Sequence, residues 1–255
     1  MARKTAPKRA RTTPAPSRPN WLFRVGLIAI VVVGAGWLLL GGGQGGSGPP
    51  PTPAELAEVL AEAEADPSAG ISLGPESAPI TIEEYYDPSC PACANFSGFA
   101  GKLIRQNYVE TVDAPVRWVS YNFILGTFPN SIAAALAERC AHEQGRYWPM
   151  HDLLLARQTR WYVEQDPGGA IAEIADQAGV DSGDFEACMR DRRHLDGIAS
   201  AHKVGETRGV NSTPTLFVDG QRVSLQGVDP YTHLEGLIQA RLAAMNESSE
   251  GTPQP

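Results

Sequence analysis

The sequence contains little cysteine, few basic residues after position 40 and only one long apolar run. Its four cysteines in 255 residues are too few for a small domain held together by many disulfides. Residues 41–255 carry 14 Lys and Arg against 29 Asp and Glu. This acidic balance argues against a nucleic acid partner, because phosphate binding needs a basic surface. A single apolar run also argues against a membrane protein with several spans.

The apolar run is residues 21–40, WLFRVGLIAIVVVGAGWLLL, in which Arg24 is the only charged residue. A helix of this length rises about 30 Å, which matches the hydrocarbon thickness of a bilayer. The sequence therefore predicts a transmembrane signal-anchor helix. Residues 1–20 are basic and form a predicted cytoplasmic tail, because positive charges remain on the cytoplasmic side of a membrane. The alternative is a cleaved signal peptide, with Val33 and Ala35 at the cleavage site.

The anchor predicts a single-pass protein of the cell membrane whose remaining residues lie outside the cytoplasm. Most residues of 41–53 are Gly or Pro, which predicts a flexible linker. An N-terminal helical segment is expected over 54–69, with the helix itself ending at about Ala65. Thr52 and Glu55 mark its start, because Thr or Ser followed three residues later by Glu forms a capping box.

Residues 70–245 alternate between strand and helix patterns. β-branched and aromatic residues mark strands, and apolar residues at spacings of three and four mark helices. In chain order, the predicted elements are a strand at Ile80–Tyr86, a helix from Pro91 to about Tyr108, a strand at Val116–Leu125, helices from Ser131 to about Val204, a hairpin turning at Asp219-Gly220 and a helix from Pro230 to about Met245. The first three form a βαβ unit, which predicts an α/β fold. Residues 246–255 are predicted to be a disordered tail.

A Cys-Pro-Ala-Cys motif, from Cys90 to Cys93, follows the first predicted strand and opens the next helix. At a helix N-terminus, unpaired N–H groups and the helix dipole stabilise a thiolate. Two thiols at this spacing can close a small disulfide ring, so the motif predicts a redox-active pair. The alternative is half of a zinc site, which Cys140 and His142 would complete.

From about Gly70 to Leu242 the chain resembles the bacterial DsbA-like thiol-disulfide oxidoreductases, in particular their membrane-anchored members. The resemblance rests on the strand that leads into CPAC and on the stretches QGRYWPMHDLLL and GVNSTPTLFVDG. It implies a thioredoxin fold in residues 70–245 with a helical insertion at about 130–205, preceded by the transmembrane helix. It also implies that Thr213-Pro214 is a cis-proline loop that faces the CPAC pair and binds an extended substrate peptide.

The resemblance implies a role for each residue of the redox motif. Cys90 is expected to be the exposed, attacking and leaving sulfur, and Cys93 its more buried partner. Pro91 and Ala92 complete the motif. Ala92 cannot donate a charge-assisted hydrogen bond, unlike the His of DsbA, so the pKa of Cys90 is expected between about 3.5, as in DsbA, and about 7, as in thioredoxin. Glu84 matches the family's buried carboxylate, which assists proton movement; an ordinary paired strand carboxylate is the alternative.

Cys140 and Cys188 form a second candidate pair. Cys140 follows Leu136 by four residues and Cys188 follows Phe185 by three, so both thiols are expected on apolar helix faces. Some membrane-anchored DsbA-like proteins have a second, structural disulfide in this region, and the resemblance implies the same pairing here. Two packed free thiols are the alternative.

The resemblance implies an enzyme, a thiol-disulfide oxidoreductase that forms disulfides in reduced or unfolded exported proteins. It also implies reoxidation by a membrane quinone-linked partner of the DsbB or vitamin-K-epoxide-reductase type. The alternatives are a disulfide reductase or isomerase of the same fold and a noncatalytic tethered chaperone that binds peptides. No cofactor and no metal are expected. A monomer is predicted, because no dimerisation arm precedes the βαβ unit beyond the short first helix.

Overall fold

The computed structural model describes residues 52–250, and the side chains of residues 52–247. The predicted cytoplasmic tail, the predicted transmembrane helix and most of the predicted linker lie outside these residues, as do residues 251–255. Within residues 52–250, no helix combines the length and the apolar character needed to cross a bilayer.

One mixed sheet forms the centre of the described chain, with the strand order β1-β3-β2-β4-β5. The strands are β1 (Ile71–Leu73), β2 (Ile80–Tyr86), β3 (Val116–Asn122), β4 (Thr215–Val218) and β5 (Gln221–Val223). β2 and β3 run parallel, whereas the other neighbouring pairs run antiparallel. The βαβ unit predicted from the sequence is therefore present. β1 was not predicted, because three residues between two glycines are too few to show a period.

Helices cover both faces of the sheet and form the segment between β3 and β4. They are α1 (Pro53–Glu62), α2 (Pro91–Phe96, continued through Ser97–Gly101, Lys102–Ile104 and Arg105–Val109), α3 (Ser131–His142), α4 (Tyr147–Ala156), α5 (Gly168–Gln177), α6 (Ser182–Asp191), α7 (Leu195–Thr207) and α8 (Pro230–Glu250). Two stretches of α2, 97–101 and 105–109, have the wider π-helical turn. Helices α3 to α7 make up the helical region between the two halves of the sheet.

Local signals read from the sequence have the structures they predict. The Thr52 hydroxyl accepts a hydrogen bond from Glu55 N, and the Glu55 carboxylate accepts one from Thr52 N, which completes the capping box. Asp219 and Gly220 have φ angles of 48° and 75°, as a tight hairpin requires. The predicted turn therefore connects β4 to β5.

The first helix is shorter than predicted, because a distant residue binds the backbone that follows it. α1 ends at Glu62 rather than near Ala65. The Ser200 hydroxyl on α7 donates to Glu64 O at 2.8 Å and accepts from Asp66 N at 3.1 Å. These bonds hold the chain in an extended path that the helix pattern does not reveal.

The ends of β3 and α8 also differ from the predictions. β3 ends at Asn122 rather than Leu125, because its partner β2 ends at Tyr86. The Tyr86 carbonyl accepts from Phe123 N, and the pairing of the two strands stops there. α8 continues past Met245 to Glu250, so residues 246–250, predicted as tail, are helical. The first helix-breaking residue after Met245 is Gly251, which explains why the helix continues.

Separate apolar clusters fill the helical region and the two faces of the sheet. The helical region packs around the alanine-rich α3, in which Ala134, Ala135 and Leu136 are fully buried. One face of the sheet packs against α2 and α8, and the other packs against α7. A small fourth cluster contains Cys90 and Cys93 and lies at the end of β2, where the sheet and the helical region meet.

Candidate active site

Cys90 and Cys93 lie where β2 gives way to α2. Cys90 is the N-cap of the helix, with extended backbone angles, and Pro91 occupies the first helical position. Proline is well tolerated there, because an N–H at that position would have no partner within the helix. The N–H groups of Ala92 and Cys93 are thus the first ones that the helix offers, and both lower the pKa of the Cys90 thiol.

Both redox cysteines are free thiols, and both are buried. Cys90 is 4% exposed and Cys93 is 0% exposed, so their order of burial is the predicted one but Cys90 is not the exposed sulfur that we expected. Tyr86, Leu155 and Phe128 pack around the pair. Leu155 comes from α4 and Phe128 from the loop that precedes α3. The local strand-turn-helix pattern around the cysteines does not reveal these neighbours.

The two thiols differ sharply in acidity. Hydrogen bonding from the Cys93 thiol lowers the pKa of Cys90 to about 5, and Thr213 and the N–H groups of Cys93 and Ala92 add to this effect against the opposing effect of burial. Burial and the neighbouring Cys90 raise the pKa of Cys93 well above its ordinary value. At neutral pH the reduced pair therefore consists of a thiolate at Cys90 and a thiol at Cys93. The pKa of Cys90 lies within the predicted range.

The Thr213-Pro214 peptide bond is cis, and its loop faces the redox pair. The Cys90 sulfur lies 3.5 Å from Thr213 O. β4 begins directly after this loop at Thr215, which pairs with Tyr85 at the end of β2. The register between β2 and β4 therefore brings the proline loop and the CPAC turn together, although more than 120 residues separate them.

An open groove of about 690 Å³ lies beside the pair. Its walls are mainly apolar and come from α2, the cis-proline loop and the chain around β5, with Ala92, Phe96, Phe99, Pro214, Val223 and Leu225 among the lining residues. Phe99 is 58% exposed. No local sequence pattern reveals this groove, because its walls come from three separate segments of the chain.

Glu84 is buried on the same strand as Tyr86, close to the redox pair. Trp118 Nε1 donates to its Oε2 at 3.2 Å, whereas its Oε1 has no hydrogen-bond partner among the described residues. Burial raises the pKa of Glu84 against the opposing effect of His151 and Arg105, and the charge of Glu84 contributes to the raised pKa of Cys93. Among the described residues Glu84 therefore has no ion-pair partner, unlike an ordinary paired strand carboxylate.

A buried polar network lies behind Tyr86. The Tyr86 hydroxyl donates to Glu138 Oε2 at 2.5 Å and lies 2.8 Å from the Tyr147 hydroxyl, and His151 Nδ1 lies 3.0 Å from Glu138 Oε1. All four residues are buried, so the network links α3 and α4 to the end of β2 without water access. Sequence analysis missed it, because its members are spread over 66 positions and share no motif.

Residues 87–90, which join β2 to α2, form the active-site turn. Three side chains that the sequence pattern does not reveal hold this turn in place. Asp87 accepts from Ser89 N and Leu125 N, both at 2.9 Å. The Ser89 hydroxyl donates to Pro129 O at 2.6 Å. Gln158 Nε2 donates to two carbonyl oxygens of the turn, those of Pro88 and Cys90. The signal available in the sequence was the DPS turn alone, which identifies a turn but not its partners.

Cys140 and Cys188 form a disulfide, as the resemblance implied. The bond joins α3 to α6 across 48 positions, and both cysteines are fully buried. Cys140 therefore cannot also serve as a thiolate in the alternative zinc site. Glu143 and His194 lie near Cys188, but His194 Nε2 and Arg193 already pair with the Glu143 carboxylate at 2.7 and 2.8 Å.

The sequence profile described as Thioredoxin matches residues 67–240, which is well over half of the chain. The chain belongs to the thioredoxin family. Within the family, its fold is similar to the crystal structure of α-DsbA1 from Wolbachia pipientis, with a TM-score of 0.61, 18% identity and coverage of 74% of this chain and 98% of that one. The DsbA-like fold implied by the sequence is thus confirmed.

Two curated relatives differ in what they are named. A protein named Na(+)/H(+) antiporter NhaA 3 from Salinispora tropica is 34% identical over 192 residues, which cover 74% of this chain but 27% of that protein. A Rickettsia bellii protein, provisionally named a protein-disulfide oxidoreductase, is 25% identical over 149 residues, which cover 58% of this chain and 56% of that protein. The chain therefore spans about a quarter of the first relative and just over half of the second.

Proposed function

We propose that this protein is a membrane-anchored, extracytoplasmic thiol-disulfide oxidoreductase that introduces disulfides into exported proteins. The observation that carries the proposal is the difference in acidity between Cys90 and Cys93. A stabilised Cys90 thiolate favours the reduced pair, so the disulfide form readily passes its bond to a substrate.

The reaction requires two exchanges at Cys90. A substrate thiolate attacks the Cys90 sulfur, the Cys90–Cys93 bond breaks, and Cys93 leaves as a thiolate that takes up a proton. A second substrate thiolate then attacks the substrate sulfur of the mixed disulfide, and Cys90 leaves as a thiolate. The substrate loses two electrons and the enzyme gains them. The low pKa of Cys90 assists the second step, because a stable thiolate is a better leaving group.

The groove and the proline loop support a peptide substrate. The loop places backbone groups of Thr213 beside Cys90, where an extended chain can add to them as a strand does. The apolar groove beside Ala92 and Phe99 suits the hydrophobic side chains that an unfolded protein exposes.

Glu84 supplies the proton step in this proposal. The departing Cys93 needs a proton, and Glu84 has a raised pKa and an unpartnered Oε1. A carboxyl group with these properties can give a proton to Cys93 when the disulfide opens and take it back when the disulfide forms again.

The buried Cys140–Cys188 disulfide supports a location outside the cytoplasm, since structural disulfides persist in oxidising compartments. Reoxidation then needs an electron acceptor, which we propose to be a membrane quinone-linked protein of the DsbB or vitamin-K-epoxide-reductase type. We propose that the protein acts as a monomer.

A glutathione redox titration of the full-length protein tests the direction of the reaction. We expect a potential between those of thioredoxin, about −270 mV, and DsbA, about −120 mV, and nearer to that of DsbA. A potential as low as that of thioredoxin would overturn the oxidase proposal in favour of a reductase. A Cys93→Ala variant, which cannot resolve mixed disulfides, should trap exported clients in cells, and its Cys90→Ala counterpart is the control.

A further inference from the structure

A second buried carboxyl group, that of Asp87, lies beside the redox pair, and the mechanism above does not use it. Its Oδ1 accepts from Ser89 N and its Oδ2 accepts from Leu125 N. Ser89 belongs to the active-site turn, whereas Leu125 belongs to the β3–α3 loop, residues 123–130. One carboxylate therefore joins the turn to the loop, and each of its oxygens holds a different segment.

The β3–α3 loop forms part of the wall around the two sulfurs. Phe128 packs against the cluster that contains Cys90 and Cys93. The Ser89 hydroxyl adds a second connection between turn and loop through Pro129 O. A change in the charge of Asp87 would thus act on the loop that covers the redox pair.

The charge of Asp87 is linked to that of Cys90. Burial raises the pKa of Asp87 to about 6, and the thiolate of Cys90 raises it as well. The groups that act on the Asp87 carboxyl come from its own turn, from the β3–α3 loop and from the start of α3: Ser89, Cys90, Leu125 and Ser131. The Cys93 thiol on α2 interacts with the backbone of Asp87. The two cysteines are the titratable members of this set, and Cys90 carries a charge only when the pair is reduced. Asp87 therefore binds a proton more tightly in the reduced protein than in the oxidised one.

We propose that Asp87 is a positioning residue of the redox reaction, which takes up a proton when the Cys90–Cys93 disulfide is reduced and thereby loosens the β3–α3 loop over the pair. This inference rests on the redox function proposed above. A protonated Asp87 has one good acceptor oxygen instead of two, so it holds either Leu125 N or Ser89 N less well. The oxidised protein would have the tighter loop and the reduced protein the looser one.

The number of protons released when glutathione reduces the disulfide determines how the equilibrium constant depends on pH. Two glutathione thiols reduce the disulfide, donate two electrons and two protons, and become glutathione disulfide. Cys93 keeps one proton. The second proton is released to solvent when Cys90 remains a thiolate, unless the Asp87 carboxylate takes it up. Uptake by Asp87 therefore reduces the pH dependence that the release of this proton would cause.

The experiment measures the equilibrium constant for reduction by glutathione at several pH values, with the full-length protein and its Asp87→Asn variant. Between pH 5 and 6 we expect this constant to rise about twofold in the wild type and about fivefold in the variant, because only the wild type compensates for the released proton. The Ser89→Ala variant is a matched control, since it removes the bond to Pro129 O from the same turn without changing a titratable group.

The outcomes separate this inference from the proposed function. A rise of about fivefold in both wild type and Asp87→Asn would overturn the role of Asp87 while leaving the redox function intact. A Ser89→Ala profile equal to that of Asp87→Asn would also overturn it, because distortion of the turn would then explain the effect. Failure of the wild type to exchange with glutathione would overturn both proposals. If Asp87→Asn does not fold, the wild-type profile decides alone, since a rise of about fivefold excludes proton uptake.

Discussion

Cys90 and Cys93 are free thiols at the start of a helix, whereas Cys140 and Cys188 are joined inside a bundle of helices. All four residues are buried, so exposure does not distinguish the two pairs. The difference lies in the neighbours of each sulfur. Backbone N–H groups and a second thiol lie beside Cys90, while the Cys140–Cys188 bond packs among apolar side chains of the helical region, with Glu143 and His194 near Cys188.

The comparison shows that the neighbours of a thiol, rather than its exposure, decide between redox and structural roles. A thiolate forms at Cys90 because the Cys93 thiol and the N–H groups at the helix N-terminus stabilise it. Cys140 and Cys188 lie late in α3 and α6, away from a helix N-terminus, and their disulfide restricts the unfolded chain instead.

Removal of the Cys90 sulfur should abolish activity. In the Cys90→Ser variant we expect oxidation of a reduced two-cysteine peptide to fall to the uncatalysed rate, because Cys93 alone cannot form the disulfide that is passed to the peptide. Stopped-flow fluorescence of the peptide measures this rate. Residual turnover in Cys90→Ser would mean that the Cys140–Cys188 pair also exchanges, which would contradict its structural role.

Removal of the second pair should affect stability alone. We expect the Cys140→Ala/Cys188→Ala variant to lose up to about 4 kcal/mol of unfolding free energy, because the bond closes a loop of 48 positions in the unfolded chain. Its rate of peptide oxidation should match the wild type. Denaturant unfolding measures the first effect, and a variant with wild-type stability would contradict the structural role.

Alkylation should show the acidity of Cys90 directly. The pKa of Cys90 is lowered to about 5, so in the reduced protein the rate of modification by iodoacetamide should be constant above this pH and fall about tenfold per pH unit well below it. At pH 7 the thiolate fraction should be about a hundred times that of an ordinary thiol. Peptide mapping assigns the label. An alkylation midpoint near the pKa of a free cysteine would contradict the oxidase proposal.

The lowered pKa also predicts how the stability of the reduced protein depends on pH. A group with a depressed pKa stabilises the folded state fully above its unfolded pKa, and this contribution is lost as the pH falls through the folded pKa. The Cys90 contribution should therefore decrease as the pH falls from its ordinary pKa of 9.0 to about 5. Thermal unfolding of the reduced and oxidised forms across this range measures the difference, which the Cys90→Ser variant should lack.

The smallest effect should come from Glu84. We expect Glu84→Gln to slow disulfide exchange about tenfold near neutral pH, because the amide cannot carry a proton to or from Cys93. Gln has nearly the size of Glu and can accept the same hydrogen bond from Trp118 Nε1. An unchanged free energy of unfolding is therefore the control. An unchanged rate would remove Glu84 from the proton step and leave it as a buried strand residue.

Much of the sheet and the redox motif could be predicted, because the interactions that form them lie close together in the chain. The bounds of β2, the capping box at Thr52 and the Asp219-Gly220 turn depend on neighbours within a few residues. β1 was missed because its three residues acquire their structure only by pairing with β3. Asp87 was not selected as a candidate, since the sequence does not show that Leu125 lies against it.

The sequence alone places Cys90 after a strand and at the N-cap of a helix. This placement favours a thiolate at Cys90, because the groups that lower its pKa include Ala92 and Cys93, which follow it directly in the chain. Only the tertiary structure decided that Cys140 meets Cys188, that the Thr213 carbonyl lies beside Cys90 and that Asp87 holds the β3–α3 loop. These contacts join residues 38 to 123 positions apart. Side-chain packing and strand register bring such residues together, and neither leaves a local pattern in the chain.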